Sequence, residues 1–427
     1  MKTEDKLNNL EVFEELESNV RGYIRGFPAK FVKSQGSMLW DETGKEYVDF
    51  FSGAGALNYG HNHPDLKQKL KDFIEKDGLA MSLDMATPQK EEFLLKFNES
   101  ILKPRNMDYK VMFPGPTGTN SVETALKLAR KLTGRHTIIN FTNAYHGMTL
   151  GSLSVSGNKL SRSGAGVPLT NTNTMPYDNY FEDETDTSKY LEKMLADQSS
   201  AIEKPAAIIV ETVQGQGGIK VAKDEWLKSI QDICRRYDIM FIVDDIQAGC
   251  GRVGTFFSFE NIGLDPDIIC ISKSISGYGL PLALTLFKPE LDIWEPGEHT
   301  GTFRGNTLAF VTAIETLKFW EDSSFEKSII EKGKKTRAYL EKIAKKFPSL
   351  ELEVRGRGLM NGIASPRRNF GEEVCKEAFK QGMIMDKCGP NGEVPKLFPP
   401  INIDDELLDK GLVILEKSIE SYAFNQV

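Results

Sequence analysis

The sequence predicts an α/β protein: a large domain built on a mostly parallel sheet, with a smaller α+β domain assembled from both ends of the chain. Three observations lead there. From about residue 65 to 300, short apolar runs alternate with helix-period segments. Strands buried on both faces and separated by helices make parallel sheets. The chain of 427 residues is also too long for one simple core, since a domain takes about 150 residues. Beyond about 305 the pattern changes to a long helical stretch dense in Lys and Glu, followed by mixed elements. These shifts divide the chain into 1–60 (N-terminal part of the small domain), 61–305 (large domain) and 306–427 (C-terminal part of the small domain).

Residues 1–60 read as a polar helical opening followed by a hairpin. Its strands are Ser37–Trp40 and Tyr47–Phe50, turning at Thr43-Gly44. In the large domain, Val111-Met112-Phe113 leads through Pro114–Asn120 into the helix Ser121–Leu132, apolar at 122, 125, 126, 129 and 132. The remaining strand candidates are Thr137–Phe141, Ala206–Val210, Ile239–Val243, Ile268–Ile271 and Leu282–Phe287. Residues 156–200 are rich in Ser, Gly, Asn, Thr and Asp and read as a long loop, with a helix near 188–197. Trp226, Leu227, Ile230, Ile233, Cys234 and Tyr237 mark one face of a helix. The Lys-rich run Glu331–Lys346 reads as a solvated helix face.

Composition removes several function classes. A net charge of −8 lacks the basic footprint of a nucleic-acid binder. No apolar run approaches the ~18 residues of a membrane span. The polar start, Met1 to Lys6, has no apolar segment behind it, so no secretory signal is expected. Five scattered cysteines without a CxxC fit reduced thiols. The expected setting is the cytoplasm, without nucleic-acid or membrane partners. His61-Asn62-His63 has no further ligand at metal spacing, so no metal site is expected.

Polar residues gather where strands end, which is where open α/β sheets bind ligands. The Gly/Thr loop before Ser121 can offer unpaired N–H groups to an anion, although plain capping by Thr or Asn explains it as well. It lacks the GKS/T ending of a P-loop. Asp244 and Asp245 close an apolar strand, where paired acids are costly unless something cationic meets them. Lys273 follows Ile268–Ile271; it could serve as a salt bridge or as an amine that attacks a carbonyl. Arg355-Gly356-Arg357-Gly358 could bind carboxylates or simply turn. Phosphate loop, strand-end Asp and strand-end Lys in this order suggest one ligand, pyridoxal 5′-phosphate. Its aldehyde needs a lysine, its ring nitrogen a carboxylate and its phosphate a helix N-terminus.

These residues resemble the class III aminotransferases of the pyridoxal-phosphate fold-type I group, over roughly residues 20 to 420. The resemblance is carried by Gly53–His61, Tyr145-His146-Gly147, Glu211–Gly215, Val243–Gly249, Ser272-Lys273-Ser274 and Gly301–Asn306. Leu102–Arg105, Pro114–Asn120, Asp244–Arg252 and Ser276–Pro281 are similar to the branch that makes 2,4-diaminobutyrate in ectoine biosynthesis. The resemblance implies a seven-stranded sheet, a homodimer or larger homo-oligomer, and transamination of aspartate 4-semialdehyde by glutamate. It also implies roles. Lys273 would hold the cofactor's aldehyde as a Schiff base and then shuttle a proton. Asp244 would keep the pyridine nitrogen protonated, and Gln247 would bond the ring hydroxyl. Ile246 and Tyr145 would cover the two ring faces. Gly118 and Thr119 would bind phosphate, and Thr302 would reach the phosphate of a neighbouring subunit. Two positions depart from the class: Asn120 where Glu is usual, and Lys396 where Arg is usual before Pro399-Pro400. Lys396 would anchor a substrate carboxylate and pair with Glu211 when none is present. The rivals are another terminal-amine aminotransferase, for ornithine, 4-aminobutyrate or a polyamine, and a non-catalytic sensor of the same fold.

Overall fold

The computed structural model describes residues 10–181, 183 and 185–425; the polar start, Met1 to Lys6, lies outside them. The strands in chain order are β1 (Phe31–Gln35), β2 (Met38–Asp41), β3 (Glu46–Asp49), β4 (Lys110–Met112), β5 (Ile138–Phe141) and β6 (Thr172–Met175). Next come β7 (Ala207–Val210), β8 (Val213–Gln214), β9 (Lys220–Val221), β10 (Met240–Asp244), β11 (Ile268–Ile271) and β12 (Leu284–Phe287). The C-terminal part adds β13 (Glu353–Arg357), β14 (Met360–Ala364), β15 (Met383–Ile384), β16 (Asp386–Cys388) and β17 (Val394–Leu397).

Seven strands form the central sheet, in the order β4-β12-β11-β10-β7-β5-β6. The strand β12 runs antiparallel to both neighbours, β11 and β4, whereas β11, β10, β7, β5 and β6 pair in parallel. Both faces are covered. Ile269, Phe241 and Ile208 join the aromatic cluster of Phe93, Phe256 and Trp226 on one side. Ile242, Ile209 and Cys270 pack with Val122, Ala125 and Ala129 on the other. The helix Gly118–Thr133 supplies those last three residues. The apolar runs read from sequence are therefore strands because each side of the pleat meets its own apolar layer.

One strand departs from expectation. Thr172–Met175 lies inside the segment read as a long loop, yet it pairs in parallel with β5 at the sheet edge. Its burial runs from intermediate to exposed until Met175, so an edge position asks for no apolar run. The helix read near 188–197 spans Thr187–Ala196.

The hairpin near the N-terminus is present as β2 and β3, extended by β1 on one side and by a parallel pairing of β3 with β15 on the other. A second small sheet has the order β13-β14-β17-β16. Arg355-Gly356-Arg357 is thus a strand rather than a turn. Arg252, with no exposed surface, ties three regions together. Its guanidinium donates to Asn58 Oδ1, Leu359 O and Pro399 O.

Candidate active site

Five segments meet at one end of the central sheet, each placed by the carboxyl end of one of its strands. After β4 come Thr117, Gly118 and Thr119; after β5, Tyr145 and His146; after β7, Glu211. After β10 come Ile246 and Gln247 beside Asp244, and after β11, Lys273. Together they line a cavity of about 320 Å³. Strand ends turn their unpaired groups outward here, which is why α/β sheets bind ligands at this edge.

Asp244 is 4% exposed and held on two sides. His146 Nδ1–H donates to its Oδ2 at 2.6 Å, and the Ile246 N–H donates to Oδ1 at 3.1 Å. Burial opposes charge on the His146 ring. The hydrogen bond and charge of Asp244, with Glu211 behind it, outweigh that and raise its pKa above the ordinary value. Asp245 points to the opposite side, as alternation along a strand requires. It accepts the Ser258 N–H at 3.0 Å, and burial pushes its carboxyl up to about 7.

Lys273 sits at a left-handed backbone position, φ 53°, where a non-glycine residue is uncommon. Its neighbours hold it there. Ser272 Oγ donates to Leu282 O at 2.9 Å and Ser274 Oγ to Gly55 O at 2.7 Å, while Ser274 Oγ accepts the Asn58 N–H. Burial first, then the charge of Lys396, lower the Lys273 ammonium to about 7; Asp244 and Glu211 oppose the shift. Near neutral pH about half of such an amine is therefore available as a nucleophile.

Gly118 and Thr119 open the helix Gly118–Thr133, with Thr117 as its N-cap. Asn120 closes a capping box: its Oδ1 accepts from Thr117 N–H and from Thr117 Oγ1. Capping and an anion site coexist, because capping leaves the Gly118 and Thr119 N–H groups free of partners within the helix. Asparagine does at 120 what a glutamate does in a capping box. Thr119 Oγ1 also meets Thr149 Oγ1 at 2.9 Å. Above the floor, a Cβ at Gly118 would come within 3.0 Å of Ile246, and one at Gly147 within 2.2 Å of Thr119 Oγ1. Gln247 Nε2 donates to Ala54 O at 3.1 Å. Glu211 accepts the Tyr145 N–H at 3.1 Å, and burial raises its carboxyl to about 7, with Asp244 adding to the effect against His146.

Two expected residues stand apart. Thr302 lies on an exposed loop outside the cavity lining, beside Phe303, which is 66% exposed. Lys396 forms no ion pair with Glu211. Its Nζ lies 3.8 Å from Asp386 Oδ2 instead, because β16 and β17 set Asp386 opposite Lys396 in their ladder. His146 is the residue that sequence reasoning passed over. The signal for it was present in Tyr145-His146-Gly147, but only the fold brings it to Asp244.

The donor set fits pyridoxal phosphate. An amine of lowered pKa, a carboxylate held in place by histidine and a helix N-terminus carrying Gly118 and Thr119 face one cavity. The class III aminotransferase family model matches residues 24–419.

The chain belongs to the class III aminotransferases.

These are pyridoxal-phosphate-dependent enzymes, and the cavity at the five segments is the candidate place for that cofactor. The chain is similar to a diaminobutyrate--2-oxoglutarate transaminase of Halalkalibacterium halodurans, 61% identical over 97% of each chain. The one of Virgibacillus pantothenticus is 58% identical, over 96% of this chain and 99% of the relative. Among solved structures, the ornithine aminotransferase of Toxoplasma gondii superposes with a TM-score of 0.86 at 26% identity, covering 100% of this chain and 97% of the other. Another structure of that enzyme, with a TM-score of 0.84 and also 26% identical, is described with PLP at the active site and covers 97% of this chain and 94% of the other.

Proposed function

We propose that this aminotransferase moves an amino group from L-glutamate to the aldehyde of L-aspartate 4-semialdehyde, giving 2-oxoglutarate and L-2,4-diaminobutyrate. The observation that carries this reading is the 61% identity, across nearly the full length of both chains, to a transaminase named for that pair.

Pyridoxal phosphate, when bound, supplies an aldehyde for amines and a ring that draws electrons from the carbon beside the nitrogen. Lys273 Nζ would hold it covalently and, when free, would accept the proton from the substrate carbon that bears the amine. Asp244 keeps a proton on the ring nitrogen, and His146 orients Asp244 by its 2.6 Å hydrogen bond. Gln247 would bond the ring hydroxyl, while Ile246 and Tyr145 would cover the two faces and keep water out. Gly118 and Thr119 hold the phosphate, where the helix N-terminus favours negative charge. Glu211 and Lys396 meet the charges of the substrates. Thr302, exposed in one chain, would reach the phosphate of a second, so the working unit is a homodimer or a larger homo-oligomer. The division at 60 and 305 belongs to the same reading, as do a cytoplasmic setting and a place in ectoine biosynthesis. What supports the division is the pairing of β3 with β15, which joins the N-terminal hairpin to the C-terminal part.

A two-substrate assay tests the reading. Diaminobutyrate should form from glutamate and aspartate semialdehyde with a kcat/KM well above that for ornithine, 4-aminobutyrate or a polyamine as amino donor with 2-oxoglutarate. A protein that prefers ornithine or 4-aminobutyrate would move it to another branch of the class.

A further inference from the structure

The hydroxyl of Thr149 turns away from its own helix. Thr149 is the N-cap of the short helix Leu150–Ser154, yet its side chain makes no cap bond there among the described residues. A threonine at that position usually accepts the second or third N–H of its helix. Glu123, on the neighbouring helix Gly118–Thr133, does the capping instead: its Oε1 accepts the Ser152 N–H at 3.0 Å. Thr149 Oγ1 donates to the same oxygen and faces Thr119 Oγ1 at 2.9 Å. Ser152 Oγ closes the ring by donating to Thr119 O at 3.2 Å. Thr119 and Glu123 are four positions apart and so share one face of their helix. Two glycines opposite leave room for them. A Cβ at Gly147 would run into Thr119 Oγ1, and one at Gly151 into the Glu123 carboxylate. Thr119 and Gly147 both line the cavity.

Counting hydrogens gives the ring a direction. An ionised carboxylate only accepts, so the single hydroxyl hydrogen of Thr149 goes to Glu123 and that of Thr119 goes to Thr149. A phosphate at the helix N-terminus is an acceptor too, and the Thr119 hydrogen must turn to it. Thr149 then gives its own hydrogen to Thr119, because two oxygens 2.9 Å apart with no hydrogen between them repel. Glu123 keeps the Ser152 N–H through the change. Only hydroxyl rotations are needed, and no O–H bond breaks. We propose that Thr149 is a positioning residue of the phosphate site. It holds the Thr119 hydroxyl at the mouth of the helix and, by donating to it, strengthens its bond to phosphate, as hydrogen bonds in a chain polarise one another. This rests on the assignment of the phosphate to Gly118 and Thr119.

Pyridoxal lacks only the phosphate of pyridoxal phosphate, so the ratio of their dissociation constants isolates this end of the site. Absorbance titration of the full-length, cofactor-free protein gives both. The wild type should prefer pyridoxal phosphate by a wide margin. Thr149→Val should lower that preference about 2- to 10-fold, the range for one hydrogen bond between neutral groups, while pyridoxal binds as before. Thr149→Ser should restore it. No cap bond is lost with the hydroxyl, since Glu123 does the capping. Thr119→Val should lower the preference further than Thr149→Val does. In the double variant the Thr149 change should add no further loss, because its effect runs through Thr119. A Thr149→Val protein with the wild-type preference would overturn the proposal. So would an equal loss for pyridoxal, or a double variant in which the two losses multiply, either of which would make Thr149 a general support of the fold. A wild type that holds pyridoxal as tightly as its phosphate would instead overturn the phosphate assignment, and the proposal with it.

Discussion

Removing the charge of Lys396 should make Lys273 a weaker nucleophile at neutral pH. Lys273 is lowered to about 7 chiefly by burial, and next by Lys396. At pH 7 about half of such an amine is neutral, against roughly one part in 3,000 for a lysine at about 10.5. The structure therefore places roughly a thousandfold more reactive amine at this position than on the surface. The sign follows directly: a lysine of depressed pKa gains reactivity as pH rises through about 7, not through 10. Lys396→Met removes a repelling charge, so the midpoint should move up in pH while staying far below that of a free lysine, because burial remains. Asp244→Asn removes an attracting charge and should move it down. The assay captures pyridoxal phosphate on the cofactor-free protein, fixes it with borohydride and maps the Lys273 peptide between pH 5 and 10. A wild-type midpoint near 10 would refute the reasoning, as would an acid shift in Lys396→Met or capture on a different lysine.

Three further outcomes are expected. Asp244→Asn should lower kcat about 10²- to 10³-fold, the usual cost of one electrostatic stabiliser, and Asp245→Asn far less; steady-state kinetics on both decides whether the strand's facing is right. His146→Gln should weaken pyridoxal phosphate binding about 10- to 100-fold, since it breaks a charge-assisted hydrogen bond to a buried carboxylate worth about 1.5–3 kcal/mol; equilibrium dialysis measures it, and unchanged binding would remove His146 from the site. Asn120→Ala opens the capping box of the helix Gly118–Thr133 and should cost about 1 kcal/mol, read from chemical denaturation.

Much of the fold was legible because the central strands carry their burial in their composition. Ile268–Ile271 and Ala207–Val210 are buried at every position, and only an apolar run satisfies both faces. Thr172–Met175 was not legible for the converse reason, since an edge strand with partly exposed faces tolerates Thr-Asn-Thr. Likewise Arg355-Gly356-Arg357 reads equally as a carboxylate site or a turn until β14 is seen pairing with it along its length.

The site divides along a similar line. Sequence alone determined which chemical groups are available and which strand ends carry them, because a polar residue directly after an apolar strand has few places to go. Lys273, Asp244, Gly118 and Thr119 are singled out in that way, and the fold brings them to one cavity. Only the tertiary structure decided the partners. His146 and Asp244 are 98 positions apart in the chain and 2.6 Å apart in space. Lys396 meets Asp386 rather than Glu211 because the ladder of β16 and β17 sets those two opposite each other. Charges pair over a few ångströms, and such distances are set by strand register and sheet order, which no local pattern of residues records.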